Sequence, residues 1–143
     1  SKSYGVPGLR LGILATSNAM LMANLRRSVS IWNINSFAEF FLQILGKYER
    51  PYLQAMDDFR SERNRFVSEL QGINYLRIVP SEANYLLCEV LPPHTPRELA
   101  IQLLKKYNIL IKDCTSKCHA PYIRIAVRDT EDNNQLIAAL RTL

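Results

Sequence analysis

Lys2 stands between Ser1 and Ser3, and the stretch "SKSYGVPGLRLG" carries the chain from it through a Gly/Pro-rich loop to Arg10. A lysine amine kept out of water can form an imine with an aldehyde cofactor. Neighbouring hydroxyls and the planar fork of an arginine are groups that hold a phosphate. The stretch therefore reads as a reactive amine followed by an anion clamp, against the plainer reading of a surface lysine beside a turn. Arg124 is the second candidate. In "PYIRIAVRD" alternate residues share a face, so Ile123, Ile125 and Val127 lie together and Arg124, Ala126 and Arg128 look the other way. Either these arginines decorate a wet strand face, or Arg124 grips a substrate carboxylate or phosphate. A third group, "CTSKCH", offers Cys114, Cys118 and His119 to a metal. Only His94 is left as a fourth ligand and no Cys-x-x-C pair exists, so these are read as loop thiols without a metal.

The elements that must position these groups follow from periodicity and caps. Residues 3–14 read as a turn-rich loop leading into a short strand, "RLGIL", with Gly5, Pro7, Gly8 and Gly12 as breakers. "TSNAMLMANLRRSV" begins a helix capped by Ser17 or Asn18, and Ser36 caps another through "FAEFFLQILGKY". Pro51 sits near the first turn of a long amphipathic helix that ends at Gly72. From residue 73 the rhythm changes. "NYLRIVP" and "NYLLCEV" read as strands, and "TPRELAIQLLKKY" as a helix with Thr95, Pro96 and Glu98 in capping positions. "ILIKD" and "YIRIAVR" are strands around a loop, and "DTEDNNQLIAALRTL" is a last helix capped by Asp129 or Thr130. The order β-β-α-β-β-α describes an α+β domain with helices on one sheet face. The expected division is 1–30, 31–72 as a helical arm, and 73–143 as that domain.

Composition narrows the partners. With 48% hydrophobic and 22% charged residues in 143, the chain is ordinary globular material. The apolar runs are too short and too charged to span a membrane, and no signal peptide follows Lys2. The net charge of +5 is dispersed and lacks interleaved aromatics, which favours discrete anion sites over nucleic acid. Three cysteines without secretory context point to reduced thiols and a cytoplasmic protein. A start at "SKSYG" without a methionine is expected of an internal segment of something longer.

Taken together, these segments resemble the C-terminal half of a fold-type I pyridoxal-phosphate aminotransferase, of the histidinol-phosphate aminotransferase and threonine-phosphate decarboxylase subgroup. "SKSYGVPGLRLG" resembles the family's "SK-x-[FY]-G-x-x-G-x-R-x-G" block, and "WNINSFA" its "N-x-N-S-x-A" helix start. "PSEANYLL" resembles its "S-x-A-N-F" strand, and "ILIKD…YIRIAVRDTEDN" its terminal block. The likeness runs in order across the whole chain.

The resemblance implies an α/β parent, the pyridoxal-phosphate-dependent transferase fold, of which this chain is mainly the α+β small domain preceded by a helical arm. Residues 1–30 would then close the large cofactor-binding domain. Lys2 would hold pyridoxal 5'-phosphate through an imine and later shuttle a proton. Arg10 and Ser1 would hold its phosphate, Arg124 the substrate's carboxylate or phosphate, and Asn84 and Asn35 would lie near the site mouth. Lys112 stands where many relatives have arginine, keeping a cation without the planar fork. Arg128 stands where a small residue is common, as an added cation or as a partner of Asp129 or Asp132. The implied reaction moves an amino group between a small amine and a 2-oxo acid, in a homodimer. The alternatives are a decarboxylase of a phosphorylated amino acid and, from another class, a non-catalytic binding module on this fold. The family's phosphate loop, ring-stacking aromatic and carboxylate for the pyridine nitrogen precede its lysine, so this stretch alone is expected to be inactive.

Overall fold

A computed structural model describes residues 4–143, which form two units, one ending at Leu53 and one spanning Gln54–Leu143. In the first unit, Pro7–Leu9 form a single 3-10 turn, closed where the Arg10 N–H donates to the Pro7 carbonyl. Arg10 there adopts the left-handed conformation, φ +54°, which L residues with a Cβ visit at a cost. Helix α1, Ala19–Ser28, starts as expected at Asn18, whose side chain accepts the Leu21 N–H at 2.9 Å. Helix α2, Ser36–Leu45, is capped by Asn35 rather than Ser36: the Asn35 Oδ1 reaches the Ala38 N–H at 2.9 Å, and Ser36 is already the first helical residue. The strand expected over "RLGIL" is not formed. A strand exists only against a hydrogen-bonded neighbour, and the four strands described all lie between residues 76 and 126 and pair with one another. Among the described residues of this unit only Ala38 is fully buried, while Ile31, Trp32 and Phe37 stand open.

Helix α3, Glu49–Gln71, begins in the first unit and from Gln54 on belongs to the second. The second unit is a four-stranded antiparallel sheet, order β1-β2-β4-β3. Its strands are β1 Leu76–Val79, β2 Tyr85–Val90, β3 Lys112–Asp113 and β4 Tyr122–Ala126. Its helices are α4 Pro96–Tyr107, the one-turn α5 Thr115–Cys118 and α6 Thr130–Arg141. The expected capping is present. Thr95 Oγ1 accepts the Glu98 N–H at 3.3 Å, Pro96 opens α4, and Asp129 caps α6 through the Asp132 N–H.

Alternation along the strands decides the layering. Leu86, Cys88 and Val90 of β2 and Ile123 and Ile125 of β4 point to one face and are buried. Against them pack Phe66 and Leu70 of α3, Leu99 and Leu103 of α4, and Leu136, Ile137 and Leu140 of α6. Each such side chain contributes about 1.5–3 kcal/mol of hydrophobic free energy. The other sheet face is left open and carries Tyr85, Leu87, Arg124 and Lys112. The strand expected over "ILIKD" shrinks to two residues because only β4 borders it, and their pairing starts at Lys112 opposite Arg124. Among the described residues no helix is long and apolar enough to cross a membrane.

Candidate active site

Two groups of candidate residues are formed, one in each unit. In the first, Arg10 lines a cavity of about 300 Å³ with Leu9, Gly12, Trp32, Asn33 and Asn35. The lining holds a guanidinium and two amides but no carboxylate. Among the described residues Arg10 makes no ion pair. Asn35 ties the two edges of this cavity together. While its Oδ1 caps α2, its Nδ2 donates to the Leu9 carbonyl at 3.0 Å. Tyr4 packs over Tyr52, with ring centroids 4.8 Å apart, and edge-on to Phe41, anchoring the beginning of the loop. Lys2 and Ser1 lie outside the described residues.

In the second unit, register brings Arg124 and Lys112 together. Arg124 of β4 is directly opposite Lys112 of β3 on one side and Leu87 of β2 on the other. Directly opposed side chains start about 4.5–5.5 Å apart, and two like charges so placed repel. The cations share a shallow cavity of about 500 Å³ with Leu110, Asp113 and Ala126. Asp113 attracts Lys112 through space but forms no salt bridge with it. Asp113 pairs in register with buried Ile123, and hydrogen bonding from Thr115, its side chain first and then its N–H at 2.8 Å, holds the Asp113 pKa below the usual value. Glu89, on the open face, is engaged by Arg77. Among the described residues neither Arg124 nor Lys112 forms a salt bridge. Arg124 is held instead by the face of Tyr85, its Cζ 5.3 Å from the ring centroid. A cation–π contact of this kind, worth about 0.5–1 kcal/mol at an exposed site, steadies the guanidinium without neutralising it. Chemically, two cations so placed can receive a carboxylate or a phosphate.

Asn84 lies at the start of β2, where its carbonyl accepts the Val127 N–H at 3.0 Å; its side chain is exposed. Arg128 is the ion-pair partner of Asp132, four residues on, so its charge is already matched. Just beneath lies a polar knot that the sequence reading did not find. Asn133, 2% exposed, accepts the Arg128 N–H at 3.0 Å and donates to the Arg128 carbonyl at 2.9 Å and to Glu62 at 2.7 Å. Glu62 also accepts a two-pronged grip from Arg65 and the Thr130 hydroxyl. The Arg65 hydrogen bonds first, then those of Asn133 and Thr130, pull the Glu62 pKa down to about 2. This knot fixes the end of β4 to α3 and α6, four residues beyond Arg124. The only sequence sign of it is the polar "EDN" at the start of a helix whose later turns are apolar. The cysteines do not assemble: Cys88 is buried, its thiol pushed up to about 12, Cys114 is buried and Cys118 exposed. Among the described residues no trio of His, Cys, Asp or Glu gathers to hold a metal.

Comparison with known proteins bears on both groups. The model of the family "aminotransferase class I and II" matches residues 1–140. The chain is 34% identical to a CMP-5'-(3-aminopropyl)phosphonate synthase of Streptomyces rubellomurinus, over 98% of this chain and 23% of that protein. It is 33% identical to a threonine-phosphate decarboxylase of Salmonella typhimurium, over 100% of this chain and 39% of that protein. Among solved structures, the histidinol-phosphate aminotransferase of Clostridium acetobutylicum superposes with a TM-score of 0.86 at 28% identity, covering 99% of this chain and 43% of that one. The chain thus spans less than half the length of each of these proteins. A family match over nearly every residue, with the same fold in a solved relative, settles the lineage: the chain belongs to the aminotransferase class I and II family, whose enzymes depend on pyridoxal 5'-phosphate.

Proposed function

We propose that this chain supplies the lysine side and the substrate-anion seat of an enzyme that moves an amino group from a small, anion-bearing amine to a 2-oxo acid. The observation that carries the reading is the Arg124–Lys112 pair: two cations opposed across β4 and β3, neither of them in a salt bridge among the described residues. Such a pair is repulsive in an empty protein and is relieved by a bound carboxylate or phosphate. The donor set around Arg10 likewise fits the phosphate end of the cofactor, since its cavity offers a cation and amides and no competing carboxylate.

Pyridoxal phosphate, when bound, supplies an aldehyde for an amine and an electron sink for charge developing at the substrate α carbon. The chain's own residues do the rest. Arg10, with Ser1, holds the phosphate. Lys2 would hold the cofactor through its aldehyde and would carry a proton to and from the substrate. That task requires an amine that is neutral near pH 7. Arg124 takes the substrate carboxylate through its fork, oriented by Tyr85. Lys112 adds a second positive charge for a phosphate, and Asn84 offers its side-chain amide nearby. A second reading, decarboxylation of a phosphorylated amino acid, is favoured by the 33% identity to threonine-phosphate decarboxylase along the whole chain.

The test uses the full-length protein with phosphothreonine, phosphoserine and histidinol phosphate, each with and without 2-oxoglutarate. Glutamate formed only with the oxo acid supports amino transfer, whereas carbon dioxide released without it supports the second reading. Turnover of either kind that survives Lys2→Ala overturns the assignment of the lysine. Failure of all three amines, in protein that binds the cofactor, overturns the substrate class.

A further inference from the structure

Asn35 caps α2, and that would be explanation enough for an asparagine there if its other end were idle. It is not. The Nδ2 donates at 3.0 Å to the carbonyl of Leu9, 26 residues earlier in the chain. That carbonyl belongs to the peptide plane joining Leu9 to Arg10. A peptide plane turns as one body, so holding its oxygen restrains ψ of Leu9 and φ of Arg10 together. Arg10 needs such restraint, because it is in the left-handed region (φ +54°, ψ 33°), which a residue with a Cβ leaves readily unless its surroundings over-determine it. Its preceding turn is secured from the other side by the Arg10 N–H to Pro7 and the Leu9 N–H to Val6. Among the described residues, Asn35 supplies the one tertiary hydrogen bond to this peptide. Leu9, Arg10, Asn35 and Ala38 then line the same cavity.

We infer that Asn35 is a positioning residue for Arg10: through the Leu9 carbonyl it fixes the backbone from which the guanidinium leaves, so that a phosphate meets a fork already aimed. This rests on the reading of Arg10 as the phosphate-holding residue. The capping and clamping functions are separable, since serine caps a helix about as well as asparagine but its short hydroxyl cannot span to Leu9 while doing so.

The experiment is a titration of the full-length apo-protein with pyridoxal phosphate, following the absorbance of the bound cofactor, with far-UV circular dichroism to check helix content. The proteins compared are wild type, Asn35→Ser, Asn35→Thr, Arg10→Ala and the double variant Arg10→Ala/Asn35→Ser. Loss of one orienting hydrogen bond predicts a Kd raised about three- to tenfold in Asn35→Ser with helix content kept. It also predicts little further change when Asn35→Ser is added to Arg10→Ala, because a residue that acts through Arg10 has nothing to act on there. A wild-type Kd in Asn35→Ser beside a weakened Arg10→Ala overturns the inference and leaves the role of Arg10 standing. The same Asn35→Ser penalty with and without Arg10 also overturns it. A wild-type Kd in Arg10→Ala overturns the phosphate role itself and the inference with it. Should Asn35→Ser lose helix content, Asn35→Thr, which also caps but cannot span to Leu9, reads the same coupling with and without Arg10→Ala.

Discussion

Replacing Asn133 by alanine tests the physical account of how Arg124 is held in place. The side chain is 2% exposed and serves both backbone groups of Arg128 as well as the Glu62 carboxylate. Asn133→Ala removes two neutral hydrogen bonds, about 1 kcal/mol each, and one to a charged group, about 2 kcal/mol. Water reaching the vacated space around Arg128 returns part of this, so the expected loss is about 2–4 kcal/mol. Urea unfolding followed by circular dichroism measures the loss. Amide hydrogen exchange locates it, with Val127 and Arg128 losing protection before Leu99 or Leu103 in α4. Asn133→Asp sharpens the test. It keeps an acceptor for the Arg128 N–H but sets a carboxylate against Glu62, so its deficit is larger at pH 7 than at pH 4. A deficit within about 0.5 kcal/mol for Asn133→Ala, the range of an ordinary surface change, would refute the idea that this knot fixes the end of β4.

Three further outcomes follow from the same geometry. Because hydrogen bonds from Arg65, Asn133 and Thr130 lower the Glu62 pKa from 4.5 to about 2, its charged form is the one the fold favours. Its contribution is complete above pH 4.5 and fades as pH falls toward 2, so the stability difference between wild type and Glu62→Gln shrinks over that window in acid unfolding curves. Arg124→Lys keeps the charge but loses the fork and most of the stacking on Tyr85; substrate KM should rise about tenfold or more, the scale of one charge-assisted hydrogen bond, with circular dichroism unchanged. Arg128→Ala breaks only an exposed ion pair with Asp132 and should cost less than about 1 kcal/mol with substrate KM unaltered. A KM shift equal to that of Arg124→Lys would restore Arg128 as a substrate cation.

What could be read without coordinates was whatever the chain encodes over a few neighbouring residues. Asn18, Thr95 with Pro96 and Glu98, and Asp129 announce helices because a cap is a contact across three residues. The alternation in "YIRIAVR" separates Arg124 from Ile123 and Ile125 because strand periodicity is local too. The same locality misled over "RLGIL", which has strand-like residues but no neighbouring strand to pair with, and over Ser36, where an adjacent asparagine reaches the helix N–H instead. "EDN" at the start of α6 could be matched as a pattern, yet its third residue has a role only once Glu62, 71 positions away, is brought against it.

The sequence by itself therefore determined the elements, the layer of side chains that forms the core, and the residue types able to hold anions. Tertiary structure alone decided which cations meet. Lys112 and Arg124 are opposed by the register of β3 on β4, whereas Arg128, on the same alternation as Arg124, is claimed by Asp132. Charge is a property of a residue. Whether that charge is free to bind a ligand depends on partners chosen by folding, and strand register and long-range hydrogen bonds make that choice.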